Sequence, residues 1–132
     1  MTAPEVSVLM AVYNGAADLA RSMDSILSQT FENFELVVVN DGSTDDTAAI
    51  LESYRKTDER LVVVQQENTG LTRALNAGLE HCRGELIARQ DVDDISHPER
   101  LQQQVSYMAS HPEVVLLGTG VRLLDGKRRP YK

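Results

Sequence analysis

The chain has 132 residues, a formal net charge of -7 and a single cysteine, and 42% of its residues are hydrophobic. This balance is typical of one globular domain, here taken as residues 1–132, and the acidity argues against binding to anionic nucleic-acid backbones. No apolar run approaches the roughly 20 residues of a spanning helix, and no signal-peptide pattern opens the chain. Cys82 cannot form an intramolecular disulfide, so a reducing cytosol is the expected compartment.

Four apolar runs rich in β-branched residues predict buried strands. They cover residues 6–13, 34–40, 60–66 and 84–90. Continuous apolar runs of this kind are typical of parallel sheets that are covered on both faces. A further apolar stretch, residues 113–124, predicts one strand or two.

The segments between these strands carry apolar residues at helical spacing. Three of them, NGAADLARSMDSILSQT, DGSTDDTAAILESYRK and TGLTRALNAGLEHC, predict helices. In the third, apolar or small residues recur at 71, 74, 75, 78, 79 and 82. This spacing predicts a helix with one continuous face toward the sheet.

Two possible capping boxes mark helix starts. Ser43 and Asp46 have the spacing of such a box, with aspartate in the place of glutamate. Ser96 and Glu99 form a second candidate with Pro98 in the first turn, which predicts a helix over 97–109.

The alternation of strands and helices predicts an α/β fold, a three-layer α/β/α sandwich around a mostly parallel sheet. In such sheets, ligands bind outside the carboxyl ends of the strands. Each predicted strand is followed by polar or glycine residues: Tyr13-Asn14-Gly15, Asn40-Asp41-Gly42-Ser43, Glu67-Asn68-Thr69-Gly70 and Gln90-Asp91-Val92-Asp93-Asp94. A ligand site is therefore predicted at this edge.

Two acids after the fourth strand suit a divalent cation. If the segment is extended, Asp91 and Asp93 point the same way and repel one another unless a cation lies between them. Carboxylate oxygens suit Mg²⁺ or Mn²⁺, with water and phosphates as further ligands. Alternatively, these acids only cap the next helix and are solvated, since an Asp-x-Asp triplet alone is a weak signal.

Other residues at this edge have two possible roles each. Asp41 could accept a hydrogen bond from a nucleobase or cap its own Asp-Gly turn. A dinucleotide cofactor is not expected, because VYNGAADL lacks the G-x-G-x-x-G pattern. Tyr13 could stack on a base or pack over the sheet edge, and Arg73 could reach a phosphate or be solvated.

Four motifs in order resemble the nucleotide-sugar glycosyltransferases of family 2, which have the GT-A fold. They are VSVLMAVYNG, FELVVVNDGSTDDT, ENTGLTRALNAGL and GELIARQDVDDISHPERLQQQ, and the resemblance extends from about residue 5 to 120. The last two motifs are most similar to the subgroup that acts on bacterial polysaccharides and cell-surface glycans.

The resemblance implies roles by position. The donor-binding residues would be Ala11, Tyr13, Asp41, Arg73 and Asp91. Ala11 and Tyr13 would border the nucleobase and ribose, and Asp41 would bind uracil or a similar base. Asp93 would be the metal ligand on the diphosphate, while Asp94 would shape the turn.

The resemblance also implies a reaction: metal-assisted, inverting transfer of a sugar from a nucleoside-diphosphate sugar, foremost a UDP-sugar, to a glycan or lipid-linked acceptor. Relatives continue further downstream, where the acceptor site and the general base lie. We therefore expect the donor-binding portion of a longer protein, with the base outside this chain. Two alternatives are a nucleotidyltransferase and a non-catalytic nucleotide-binding or assembly module of a glycan-synthesis complex.

The basic end GKRRPYK has two interpretations. It is either a solvated tail or a peripheral contact with anionic lipids at the inner face of the membrane. Oligomeric state is not predicted by any feature of the sequence.

Overall fold

A computed structural model describes residues 2–130, in which strands and helices alternate. The elements are β1 (Val6–Val12), α1 (Leu19–Leu27), β2 (Phe34–Asp41), α2 (Thr47–Arg55), β3 (Leu61–Gln66), α3 (Leu71–Leu79), β4 (Leu86–Arg89) and α4 (Arg100–Ser110). The strands of this described part form one sheet in the order β3-β2-β1-β4, and every pairing is parallel. This confirms the predicted α/β fold with a parallel sheet flanked by helices.

The core is centred on β1 and β2, the two inner strands. Every residue of β2 is buried, as is all of β1 except Ala11, which is partly exposed. Both strands are covered on two faces, so their side chains are apolar at consecutive positions rather than alternating. Helix α1 buries Leu19, Met23 and Ile26, as the predicted helical spacing requires.

Helix α3 packs on β1 and β2 through its small residues. Ala74 and Gly78 are its buried residues, and a Cβ added to Gly78 would clash with Leu9 Cδ1. Leu71 and Leu79 are 54% and 46% exposed. The predicted continuous apolar face is therefore only partly correct, because the small residues bring the helix axis close to the sheet and leave the larger ones at its margins.

The prediction of one or two strands over residues 113–124 is wrong. Residues 113–124 form no strand; within residues 2–130 this segment contributes only an isolated antiparallel bridge between Leu124 and Pro130. Val115 and Leu116 are 92% and 88% exposed. A strand needs a partner for its backbone groups, and the described part of the chain supplies none to this segment.

Neither capping box forms as predicted. Helix α4 begins at Arg100 rather than 97, because Ser96 uses its hydroxyl to donate to Gln90 Oε1 at 2.6 Å and its N–H to donate to Ser25 Oγ at 3.0 Å. Ser43 Oγ accepts the N–H of Asn14 at 2.9 Å instead of capping α2. Both serines thus serve contacts between elements.

The chain divides into two compact units at the boundary between Gln102 and Gln103. The first contains the whole sheet with α1, α2 and α3. In the second, Asp125 accepts the backbone N–H groups of Lys127 and Arg129 at 2.8 Å each and pairs with the Arg129 guanidinium at 2.8 Å. The single domain over residues 1–132 stays a prediction, and the last two residues of the basic end lie outside the described residues.

Among the described helices, none has the length and apolar character required to cross a membrane.

A buried carboxylate organises the sheet edge that lies opposite the strand carboxyl ends. Glu35 on β2 is 2% exposed and accepts a hydrogen bond from Ser7 Oγ at 2.6 Å and from the Arg83 N–H at 2.7 Å. Its second oxygen pairs with the Arg83 guanidinium at 2.8 Å. Burial alone raises the pKa of Glu35, but these hydrogen bonds more than offset it and hold the pKa below 4.5. This cluster ties the α3–β4 connection to β1 and β2.

We predict that Glu35→Gln lowers the free energy of unfolding by about 2 kcal/mol at pH 7, because Arg83 and Ser7 lose a charged partner. Because folding lowers the Glu35 pKa below its ordinary value of 4.5, its contribution is present above that pH and is lost as the pH falls through the lower folded value. Urea unfolding at intervals of about one pH unit from pH 3 to 7 measures this effect. The free energy of unfolding should fall less toward acid pH in the variant than in the unmodified chain.

The matched control is Glu52→Gln. Glu52 pairs with Arg55 at 2.9 Å on an exposed face of α2. We expect this change to leave the free energy of unfolding nearly unchanged, because solvent screens an exposed ion pair. Equal losses for the two variants would contradict the structural role of Glu35.

Candidate functional site

The strand order locates the site. The chain runs from β1 outward to β3 and then returns to place β4 on the other side of β1. Parallel sheets bind ligands outside the strand carboxyl ends where the order reverses, which here lies between β1 and β4. The loops after these strands touch: a Cβ added to Gly15 would lie 2.9 Å from Val92 Cγ2. Gly15 therefore permits the close approach of the two loops.

Side chains of the loop after β2 hold the loop after β1. Asn14 has a positive φ of 49°, and its Oδ1 accepts the Thr44 N–H at 2.7 Å. In return, Ser43 Oγ accepts the Asn14 N–H. Asp45 Oδ2 accepts the Ala16 N–H at 3.1 Å. The motif NDGSTDDT thus works here mainly as a brace between two loops, a role the sequence analysis did not assign to Asn14 or Asp45.

Asp41, the last residue of β2, holds the loop after β3. It is 3% exposed, and its Oδ1 accepts hydrogen bonds from Gln66 Nε2 at 2.7 Å and from the Thr69 N–H at 2.9 Å. Its Oδ2 accepts the Gly70 N–H at 3.0 Å and Asn68 Nδ2 at 3.3 Å. Burial raises the pKa of Asp41, but these donors reverse the effect and hold the pKa below 3.8, so the carboxylate is charged at neutral pH.

Glycines at two positions make this arrangement possible. Gly42 has a φ of +73°, and a Cβ there would lie 2.6 Å from the backbone nitrogen of Asn68. Gly70 has a φ of 93° and a ψ of 163°, a conformation that is essentially restricted to glycine. Its carbonyl accepts the Ala74 N–H at 3.0 Å and so begins α3.

A cleft of about 300 Å³ lies at this edge of the sheet. Its lining residues are Ala11, Val12, Tyr13, Asp41, Asn68, Gly70, Leu71 and Ala74. Three predicted site residues, Ala11, Tyr13 and Asp41, are therefore brought together. Arg73 is exposed on α3 and is not part of this lining.

Sequence reasoning missed part of this lining. It placed Asn68 and Gly70 at the ligand edge without giving them a role, and it assigned Leu71 and Ala74 to the core face of a helix. A helix that begins directly at a strand's carboxyl end places its first turn at that edge of the sheet. This rule could have predicted that Leu71 and Ala74 line the cleft.

The three acids after β4 lie in a tight turn. The Asp94 N–H donates to the Asp91 carbonyl at 3.1 Å, so the segment is not extended. The prediction of an extended segment, in which Asp91 and Asp93 would point the same way, is therefore wrong. Asp91 is half-exposed and pairs with Arg89 at 3.2 Å. Burial, followed by the charges of Asp93 and Asp91, raises the pKa of Asp94.

The donor chemistry of this turn fits a hard divalent cation that an anionic ligand helps to bind. Within the described part of the chain, no group of three or more His, Cys, Asp and Glu side chains is arranged to hold a metal. Magnesium commonly uses only one or two carboxylates and completes its shell with water and substrate phosphates. The acidic turn, residues Asp91–Asp94, offers such carboxylates beside the cleft-forming strand β1.

The fold and the position of the cleft define a doubly wound α/β protein whose ligand edge joins the ends of four parallel strands. The family described as Glycosyl transferase family 2 matches residues 7–132, and the chain belongs to that family. The predicted family is thereby confirmed.

Similar proteins extend this result. AmsE, the amylovoran biosynthesis glycosyltransferase of Erwinia amylovora, is 41% identical over 128 residues, covering 93% of this chain and 48% of AmsE. The structure of S. aureus TarS 1-349 in complex with UDP has a TM-score of 0.76 at 28% identity and covers 92% of this chain and 39% of TarS. The mannosyltransferase PcManGT from Pyrobaculum calidifontis, in complex with GDP-Man and Mn²⁺, has a TM-score of 0.75 at 30% identity, with 83% and 33% covered. The chain spans less than half the length of these relatives.

Backbone conformation at Gly42 and Gly70 can be tested by alanine substitution. We predict that Gly70→Ala lowers the free energy of unfolding by about 1–2 kcal/mol. Backbone strain alone would account for this loss, because nothing lies within 4 Å of the added Cβ to clash with it. Gly42→Ala should cost more, since its Cβ also meets the Asn68 backbone. Urea unfolding followed by circular dichroism measures both.

Gly118→Ala serves as the control, since its Cβ would also meet nothing within 4 Å and its φ is not positive. We expect a change within about 0.5 kcal/mol for this exposed substitution. A Gly42→Ala variant as stable as Gly118→Ala would show that the close approach to Asn68 is not maintained in solution.

Proposed function

We propose that this chain is the donor-binding part of a glycosyltransferase that takes a sugar from a nucleoside-diphosphate sugar and transfers it to a glycan or lipid-linked acceptor. The observation that carries the proposal is the order of groups along one sheet edge. Asp41 ends β2, Tyr13 follows β1, and the acidic turn follows β4. Neighbouring strands are about 4.8 Å apart, so Asp41 and the turn lie about 10 Å from one another across β1. That is the length scale of a nucleoside with its phosphates.

The base would bind at the Asp41 end. Asp41 Oδ1 already accepts two strong hydrogen bonds, whereas Oδ2 accepts one strong and one longer bond. A carboxylate offers about four lone-pair sites, and all of them are used here, so a base N–H would bind Oδ2 in place of its longer hydrogen bond from Asn68 Nδ2. Tyr13 is 53% exposed, which leaves its ring available for stacking. The small side chain of Ala11 leaves room beside it. UDP in the TarS structure and GDP-Man in PcManGT support a nucleotide ligand of this class.

The phosphates would bind at the other end, beside the acidic turn. We assign Asp93 as the metal ligand, with Asp91 bordering the ribose and sugar, because Asp91 is already paired with Arg89. Arg73 is placed in the nucleotide approach, outside the cleft itself. When bound, Mg²⁺ or Mn²⁺ would neutralise the negative charge that develops on the leaving diphosphate. The Mn²⁺ in the PcManGT complex supports this choice of metal.

The remaining parts of the reaction rest on the family resemblance. Transfer with inversion requires a general base that deprotonates the acceptor hydroxyl. We assign this base and the acceptor site to the part of the longer relatives that this chain does not match. The amylovoran role named for AmsE supports a polysaccharide acceptor. A peripheral contact with anionic lipids stays a prediction.

Isothermal titration with UDP, GDP, CDP and dTDP, each with Mn²⁺ and with EDTA, tests the proposed function. We expect one or more of these nucleotides to bind, and to bind more tightly with Mn²⁺, because a cation held by the acidic turn would offset the negative charge of the diphosphate. Absence of binding by all four under both conditions would falsify the proposal.

Asp93→Ala separates the metal from the rest of the site. We predict that it removes most of the gain in UDP affinity conferred by Mn²⁺ while leaving the affinity measured in EDTA unchanged. Glu59→Ala removes one exposed acid before β3, at the opposite sheet edge, and is the charge-matched control. The assignment fails if the two variants respond to Mn²⁺ alike.

Tyr13→Ala tests stacking on the base. We predict that it weakens UMP and UDP binding by about tenfold, and to the same extent with and without Mn²⁺, because one base-stacking contact is lost. Tyr107→Ala is the control: Tyr107 lies in α4, is 45% exposed and stacks on His111, which follows the helix. Unchanged affinity in Tyr13→Ala would show that the base does not stack on Tyr13.

A further inference from the structure

A buried glutamine stands between β4 and the acidic turn. Gln90 is 3% exposed, and its N–H donates to the Leu9 carbonyl at 3.0 Å, which continues the β1–β4 ladder by one residue. Burial of a primary amide is unfavourable unless its polar atoms are hydrogen-bonded. The position of Gln90, directly before Asp91, therefore raises the question of what its side chain binds.

The amide of Gln90 uses its full hydrogen-bonding capacity. Its Nε2 donates to Ser22 Oγ at 3.1 Å and to the Asp94 carbonyl at 2.9 Å. Its Oε1 accepts from Ser96 Oγ at 2.6 Å and from Arg100 Nη1 at 2.9 Å. An amide has two N–H donors and an oxygen with two lone pairs, so each is occupied.

These contacts hold both ends of the acidic turn. At its far end, the Asp94 carbonyl is bound directly by Gln90. At its near end, the Asp91 carbonyl accepts Ser22 Oγ at 3.2 Å, and Ser22 is itself bound by Gln90. Arg100 adds a hydrogen bond from Nη2 to the Arg89 carbonyl at 2.9 Å. The turn is thus anchored to α1 and to the first residue of α4.

The hydrogen bonds of Gln90 and Ser22 suit a turn whose carboxylates must stay charged. Three carboxylates within four residues repel one another. Gln90 and Ser22 carry no charge, so they bind the backbone of the turn without neutralising its carboxylates. An arginine or lysine in the place of Gln90 would hold the turn but would also compete with a cation for the acids.

We infer that Gln90 is a positioning residue, which together with Ser22 pre-shapes the acidic turn for metal-dependent binding of a nucleoside diphosphate. The identity of the ligand rests on the proposed function. The positioning role itself rests on the hydrogen bonds of Gln90. Gln90 touches neither nucleotide nor metal in this assignment; it acts through Asp91 and Asp94.

The test compares Gln90→Met with a matched control, Gln29→Met, in the 132-residue chain. Gln29 is also a buried glutamine, 5% exposed, and also ties α1 to the start of α4. Its Nε2 donates to the Ser25 and His97 carbonyls at 3.0 and 2.7 Å, and its Oε1 accepts the Leu101 N–H at 3.0 Å. It makes none of these bonds to the acidic turn, so the control matches burial and chemistry but not position.

Two measurements are made on each variant. Hydrogen exchange by NMR at the Asp94 amide measures how readily the turn opens. Isothermal titration compares the affinity for UDP with Mn²⁺ with the affinity for UMP in EDTA. We expect Gln90→Met to speed exchange at Asp94 and to weaken Mn²⁺-dependent UDP binding by about tenfold, the usual scale for residues that orient metal ligands. UMP binding should stay within about twofold, since the cleft is unchanged. Gln29→Met should change neither measurement.

The outcomes distinguish the inference from the proposed function. If the unmodified chain binds no nucleoside diphosphate, the proposed function is wrong, and exchange at Asp94 alone decides whether Gln90 holds the turn. Equal weakening of UDP and UMP, or equal effects of both glutamine variants, overturns the positioning role. If Gln90→Met does not fold, Ser22→Ala removes the bridging hydroxyl alone and should give the same pattern with a smaller change.

Discussion

The parallel ladder between β1 and β4 is the interaction on which the site depends. It joins only four residue pairs, from Val6–Leu86 to Leu9–Arg89. Through it, the chain returns past β1 after building β2 and β3, and the acidic turn comes to lie beside the loop that follows β1. The Glu35–Arg83 cluster fixes the start of β4 and Gln90 prolongs the ladder at its end. A short strand is thereby held at both of its ends.

Most polar side chains at the ligand edge bind backbone rather than point freely into solvent. Asn14 and Asp45 join the loops after β1 and β2, and Asp41 joins β2 to the loop after β3. Gln90 does the same for the turn after β4. Loops cannot bury backbone groups in a ladder of their own, so side chains from neighbouring loops satisfy them. Few side chains at this edge are left exposed, and among them are Tyr13 and Asp91.

The sequence predicted the elements whose formation depends on local pattern. The apolar runs located all four strands to within about two residues, since burial on both faces leaves a continuous apolar signature. It also brought Ala11, Tyr13 and Asp41 to one edge, because parallel strands place their carboxyl ends together. Features decided by distant partners were not predictable. The acidic turn is folded by contacts from Gln90 and Ser22, and Ser96 leaves its expected capping role because Gln90 binds its hydroxyl.

The contact between Gly42 and the Asn68 backbone has a consequence for redesign of the proposed nucleotide site. Two walls of the cleft, the end of β2 and the loop after β3, are joined where there is no room for a side chain. Changes at either wall would therefore move the other, and their effects on affinity would not be separable. Tyr13 and Leu71 also line the cleft, are each more than half exposed, and take no part in this contact. Libraries that vary these two positions would alter the shape of the cleft while its supporting backbone stays intact.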